Sequence, residues 1–362
     1  MNKNINKLCT ESINLFNYIN KHKCDLSLKN SFFLQNIFNI IKDTHKKQQL
    51  KIKDVIILKT HEDKKELLNL IEQNIFIGDS VTKVIENNKM VYLKILYKNT
   101  KIHLFSPIKK NDTQFPNFTR LFHIIDIMRI ISKKTDYLTL FLIYTSLEKH
   151  LAIDGVLNSE HINSGSCYKS EETNFIVIWR KEEFEKVLIH ELIHFFNIDF
   201  IKLIGNDYFK NNFGINNINV NEAYTDSLAV IIHTLFVSYH LNINYLYLLN
   251  LEINFVMNQA GKILNYYNAN SLYDSKDKIK QKSVFPYFIV KSALLFSLTY
   301  FIDFVKHNIY FNDRYTEFMT LIDKSFNEII FQKTLIYYIN LNKKYIHSFI
   351  NNTTRMTFLQ LL

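Results

Sequence analysis

The run Val187-Leu188-Ile189-His190-Glu191-Leu192-Ile193-His194-Phe195-Phe196 places two imidazoles and a carboxylate in a segment that is otherwise apolar. Phe184, Val187, Leu188, Leu192, Ile193 and Phe196 give it apolar character around the helix, so it belongs in a core, where unpartnered His and Glu are costly. A metal ion is the natural partner. Residues four apart stack on one helix face, so His190 and His194 can reach one ion while Glu191 projects beside them. Neutral imidazole suits zinc, and three protein ligands leave a fourth position for water, whose proton Glu191 can accept. H-E-x-x-H arises by accident in on the order of one chain in a hundred of this length. The apolar setting lifts it above that background.

A third ligand is expected downstream, and Asn221-Glu222-Ala223-Tyr224-Thr225-Asp226 supplies a candidate at the start of another apolar helical run. Together the two segments resemble the gluzincin branch of zinc metallopeptidases, whose third ligand is a glutamate in an N-E-x-x-x-D pattern. The resemblance implies that Glu222 completes the zinc shell, that Asp226 holds His190, and that Asn221 supports His194. Physical chemistry agrees on one point independently. Glu222 and Asp226 share a helix face, and zinc-bound histidines need an acceptor on their other ring nitrogen. The chain departs from the pattern in its long connection from His194 to Glu222, through Lys202-Leu203-Ile204-Gly205-Asn206 and Asn211-Asn212-Phe213-Gly214.

With 362 residues, 47% of them hydrophobic, the chain has room for one large or two ordinary domains with ample cores. Lys+Arg of 44 against Asp+Glu of 34 leaves a net charge of +10. The basic residues are scattered among apolar ones, so a solvated surface outweighs nucleic-acid binding. Cys9, Cys24 and Cys167 are odd in number and lack a C-x-x-C spacing, which fits a reducing compartment. No apolar core of signal-peptide kind follows Met1, and an intracellular location is expected: cytoplasm, or host cytoplasm or virion if the source is viral. Leu228 to Val237 and Ala293 to Ile302 are too short to span a bilayer, so no membrane span is expected. Heavy use of Asn, Ile, Lys and Tyr with only 6 Gly and 3 Pro matches an AT-rich genome, such as that of a large DNA virus or certain parasites.

Along the chain, helical spacing over 11–42 predicts two helices broken near Asp25-Leu26-Ser27. Val55 to Leu58 reads as a short strand and Glu62 to Phe76 as a helix. Met90 to Leu96 and Lys101 to Phe105 form a hairpin, Pro107 and Pro116 bracket a polar loop over 109–113, and a helix runs from about Phe118 to Ile131. Leu138 to Tyr144 and Asn174 to Trp179 read as buried strands ahead of the motif helix. Beyond Asp226 the pattern is helical: Ser227 to Tyr239, Tyr245 to Tyr267 with Gly261 and Asn268 to Ser271 marking a break, Phe288 to Lys306, and Phe311 to the end. The fold class expected is α+β: a zincin-like catalytic domain with a small mixed sheet above the active-site helix and a mostly helical C-terminal subdomain. Its expected segments are an accessory region over 1–80, an upper subdomain over 81–196 and a lower subdomain over 197–362.

In the resembling architecture, an edge strand above the active-site helix binds extended peptide through main-chain hydrogen bonds. The equivalent here is Ile162 to Ser166, with Asn163, Ser164 and Gly165 as substrate-binding residues; an ordinary turn fits the same residues equally well. The stretch is not the G-x-M-E-N signature of gluzincin aminopeptidases, which tilts the reading toward an endopeptidase. The lower subdomain of gluzincins supplies a Tyr or His donor to the oxyanion, for which Tyr287 ranks first, ahead of Tyr224 and His233. The function expected is zinc-dependent hydrolysis of a peptide or protein substrate, with one Zn2+ and Glu191 as general base. The rival from another class is an inactive zincin-fold binding or structural module. The presence of Glu191 argues against it, because a structural zinc site has no use for an unliganded glutamate.

Overall fold

The computed structural model describes residues 3–48, 56–58, 71, 77–88, 90–107, 115–153, 155–170, 174–199, 207–279, 281–306, 314–344 and 349–362. The expected helix Glu62 to Phe76, the polar loop over 109–113 and the Lys202 to Asn206 connection lie wholly or almost wholly outside them. The fold class is α+β, and the chain divides into two compact units. One comprises 39–148 and 163–196, and the other 1–38, 149–162 and 197–362.

The first unit is built on a six-stranded mixed sheet. Its strands are β1 (Ile56–Leu58), β2 (Met90–Tyr97), β3 (Thr100–Pro107), β4 (Leu138–Ile143), β5 (Gly165–Lys169) and β6 (Asn174–Ile178), in the order β1-β2-β3-β4-β6-β5. The hairpin pairs Tyr97 with Thr100 at its tip and Met90 with Pro107 at its base. Strands β3 and β4 are parallel, so they need a crossover, and helix α1 (Phe118–Ser132) supplies it. Alternation along the strands sends Tyr92, Phe105, Phe141, Ile143 and Val177 to one core, with Trp179 just beyond β6. Ile102, Leu104, Leu140, Leu142, Ile176 and Ile178, also buried, point to the opposite face. Helix α2 (Phe184–Phe195) packs against β5, β6 and α1.

One expected strand is displaced. The edge strand is expected at Ile162 to Ser166, but Ser159–Ile162 is a short helical turn and β5 begins at Gly165. The cause is local pairing. The Ser164 carbonyl accepts from the Trp179 N–H at 3.0 Å, and regular antiparallel pairing with β6 starts one residue later, Gly165 opposite Ile178. Asn163 precedes the strand, and Ser164 leads into it.

The second unit is helical: α3 (Asn221–Leu241), α4 (Tyr245–Tyr266), α5 (Lys291–Phe296), α6 (Leu298–Lys306), α7 (Tyr315–Phe326) and α8 (Ile329–Lys344), with a π-helical turn at Phe285–Val290. Helix α3 ends at Asn242, whose left-handed backbone lets its N–H reach the Ser238 and Tyr239 carbonyls. Gly261 does not mark a break. It sits inside α4, and a Cβ there would lie 2.7 Å from the Tyr338 carbonyl carbon, so the glycine is what lets α4 and α8 approach. Nor is Phe288 to Lys306 one helix. It bends by 93° between Phe296 and Leu298, where the Ser297 hydroxyl donates to Glu328 at 2.9 Å. No single helix among the described residues is long and apolar enough to cross a membrane.

Residues 1–38 belong to this helical unit. Cys24 exchanges two hydrogen bonds with Asn254 of α4, at 2.7 and 3.0 Å. Leu8 bridges Leu361, and the Cys9 N–H donates to the Gln360 carbonyl at 2.9 Å. Residues 149–162 are tied in through the Thr354 N–H to the Lys149 carbonyl and the Leu151 N–H to the Asn352 carbonyl. One break between the units falls between Phe196 and Asn197.

Candidate metal centre

Helix α2 is buried at every residue except His194. Its apolar ring of side chains therefore does what the sequence requires, holding His190 and Glu191 at 4% and 5% exposure inside the sheet unit. One helical turn brings the Nε2 atoms of His190 and His194 to 3.1 Å, with the rings steeply inclined at 76°. Two imidazole nitrogens on one tetrahedral zinc ion, each at 2.0–2.1 Å, stand about 3.3 Å apart. The pair thus fits a shared ion, with both nitrogens turned toward the same point.

Strand β5 is the last in the sheet order, and it runs along α2. A Cβ on Gly165 would fall 2.7 Å from Val187 Cγ1 and 2.9 Å from Glu191 Oε1. Only glycine permits that approach. At the strand's far end the Lys169 ammonium donates to the His194 carbonyl, capping the C-terminus of α2. Glu191 consequently lies beneath the start of an edge strand whose outer side no strand pairs among the described residues.

The helical unit holds the other expected residues. Glu222, in the first turn of α3, accepts from Asn219 Nδ2 on one carboxylate oxygen at 3.2 Å and from the Tyr287 hydroxyl on the other at 2.6 Å. Tyr287 reaches it from the π-helical turn, which Pro286 opens at a position where its missing N–H costs nothing. Four residues on, Asp226 is fully buried and paired with Lys291 at 2.7 Å, their side chains 0% and 2% exposed. Asn221 donates to Asp199 at 3.0 Å, and Thr225 donates to the same Asp199 oxygen at 3.0 Å.

Tyr224 packs edge-on against Phe301, Phe304 and Phe318, and burial raises its phenol pKa well above the ordinary value, so it belongs to the core. His233 is buried in the middle of α3. Asp199, Asn219 and Lys291 escaped the sequence reading. Asn219 carried a local signal, a cap-type residue two before the helix start, whereas Lys291 lies 65 residues from its partner and carried none.

No family model matches the chain. No solved structure gives a significant match. An uncharacterized protein of Acanthamoeba polyphaga mimivirus is 25% identical over 222 residues, covering 55% of this chain and 58% of that protein. The match spans less than two thirds of the relative's length, and the relative brings no activity to this chain.

Proposed function

We propose that this protein is a zinc-dependent peptidase acting within its substrate's chain, with His190, His194 and Glu222 as metal ligands and Glu191 as general base. The observation that carries the reading is the imidazole pair 3.1 Å apart on a buried helix, with Glu191 beside it under an edge strand. Bound zinc would supply Lewis acidity, making a water acidic near neutral pH and polarising the scissile carbonyl.

The chain's own groups do the rest. Glu191 Oε1 takes the water proton as the water attacks and returns it to the departing amine. The outer edge of β5 aligns an extended substrate by main-chain hydrogen bonds, from Gly165 onward. Tyr287 turns its hydroxyl from Glu222 to the oxygen that becomes negative. The Lys291 ammonium holds the Asp226 carboxylate at 2.7 Å, and the same carboxylate is the proposed acceptor for the other nitrogen of His190. Three unbridged cysteines support a reducing, intracellular setting, and peptide or protein is the proposed partner.

Metal content of the wild type, His190→Ala and Glu191→Gln, measured beside cleavage of a mixed peptide library, tests this. The expected result is one zinc in the wild type, none in His190→Ala, and zinc without cleavage in Glu191→Gln. Zinc bound by a wild type that cuts no peptide transfers the reading to an inactive binding module or another amide or ester substrate. A wild type without zinc removes the metal centre.

A further inference from the structure

We infer that Asn219 is a positioning residue for the proposed metal centre, holding the Glu222 carboxylate in its ligating orientation; this rests on the assignment of Glu222 as a zinc ligand. The argument begins with the loop that leads into α3. Asn219 Oδ1 accepts from the Asn221 backbone N–H at 3.2 Å, a two-residue side-chain turn. That bond settles which way the carboxamide faces, because reversing it would set the amide nitrogen against another N–H. Its Nδ2 therefore points forward and donates to Glu222 at 3.2 Å. One side chain links the start of the helix to the carboxylate the helix carries.

The second donor, the Tyr287 hydroxyl at 2.6 Å on the other oxygen, completes a two-sided grip. The two donors are not equivalent. Tyr287 comes from a separate helical turn and is the group proposed to serve the oxyanion, so it must let go during turnover. Asn219 is bound to the Asn221 backbone in the same helix start and has no such second task. It is the donor that keeps Glu222 aimed while Tyr287 moves.

Asn219→Ser separates this role from the turn. Serine retains an oxygen for the Asn221 N–H but is too short to reach Glu222. In competition with a chromogenic chelator, zinc affinity should fall about 10- to 100-fold, while the unfolding midpoint of the metal-free protein stays at the wild-type value. Asn219→Thr repeats the test should the serine variant fail to fold. Wild-type affinity in either variant overturns the inference and leaves the peptidase reading standing. A weakened affinity that tracks a lowered metal-free midpoint also overturns it, since the turn alone would then be responsible. A wild type that binds no zinc overturns the reading and this inference together.

Discussion

Replacing Gly165 by alanine tests the relation between the edge strand and Glu191 with a single methyl group. The added Cβ would stand 2.7 Å from Val187 Cγ1, 2.9 Å from Glu191 Oε1 and 3.0 Å from Glu191 Cγ. Carbon atoms in contact ordinarily sit about 3.5–4.0 Å apart, so roughly 1 Å must be recovered by moving β5, α2 or the Glu191 side chain. Val187 is β-branched and buried in the helix, with little rotamer freedom to give. The strand is pinned to β6 along its length, and Lys169 ties its far end to α2. Glu191 is the freest of the three, and its carboxylate should yield first.

Overpacking of this kind costs about 1–3 kcal/mol of stability. The effect on turnover should be larger, because misplacing a catalytic group by about 1 Å costs on the order of 100-fold in rate. Zinc should remain, since the closest atoms the new methyl meets belong to Val187 and Glu191 and not to either histidine. The assay is therefore threefold: zinc stoichiometry, urea unfolding, and kcat on a peptide that the wild type cuts. Full stoichiometry with a loss of roughly 100-fold in kcat is expected. Unchanged kcat with Gly165→Ala folded and loaded would show that Glu191 does not act from beneath β5, and would refute the reasoning.

Three other perturbations follow from the packing. Lys291→Met leaves the Asp226 carboxylate buried without its cation and should destabilise by about 3–5 kcal/mol, with Lys291→Met/Asp226→Leu recovering much of that in a double-mutant cycle by urea unfolding. Gly261→Ala gains helix propensity of about 1 kcal/mol yet sets a methyl 2.7 Å from α8 backbone that cannot swing aside, so a net loss by urea unfolding is expected, with zinc content unchanged. Burial pushes the Lys262 pKa down from 10.5 to about 7, and burial likewise pushes His123 from 6.5 down to about 4. In both windows the unfolded chain binds a proton that the folded chain does not, so stability should rise with pH from 4 to 6.5 and from 7 to 10.5. The slope contributed by either group is at most about 1.4 kcal/mol per pH unit. Lys262→Met should flatten the upper limb in pH-dependent urea unfolding, since Gln259 still donates to the Thr353 carbonyl.

What the sequence makes legible here is what a single element enforces. His190 and His194 meet because four residues complete a helical turn, and the burial of α2 follows from its apolar neighbours. The hairpin tip between Tyr97 and Thr100 follows from alternation in the same way, and the strands at Leu138 and Asn174 from short apolar runs. The misreadings occur where tertiary contact overrides local pattern. Gly261 has the look of a breaker, but the nearby backbone of Tyr338 and Ile339 makes it a packing residue inside α4. The start of β5 depends on where Trp179 finds the Ser164 carbonyl, a pairing 15 residues long in sequence that no period encodes.

The candidate site divides along the same line, and this bears on how it could work. The motif residues supply donor atoms, but the groups that aim them come from elsewhere: Tyr287 to Glu222 across 65 residues, Lys291 to Asp226 across another 65, and Asp199 to Asn221 across 22. A spacing of four establishes that Glu222 and Asp226 share a face, while their hydrogen-bond partners decide where each carboxylate points. The π-helical turn is the element that links the two. It carries Tyr287 at its middle and leads directly into α5 at Lys291, so residues four apart there meet residues four apart on α3: Tyr287 with Glu222, Lys291 with Asp226. Two turns of helix thus face each other in register, one carrying carboxylates and the other the groups that orient them. That matched spacing predicts that inserting one residue between Phe288 and Lys291 would keep the two pairs from forming together, since Tyr287 and Lys291 would stand five apart while Glu222 and Asp226 stay four apart, and urea unfolding should show a loss of stability.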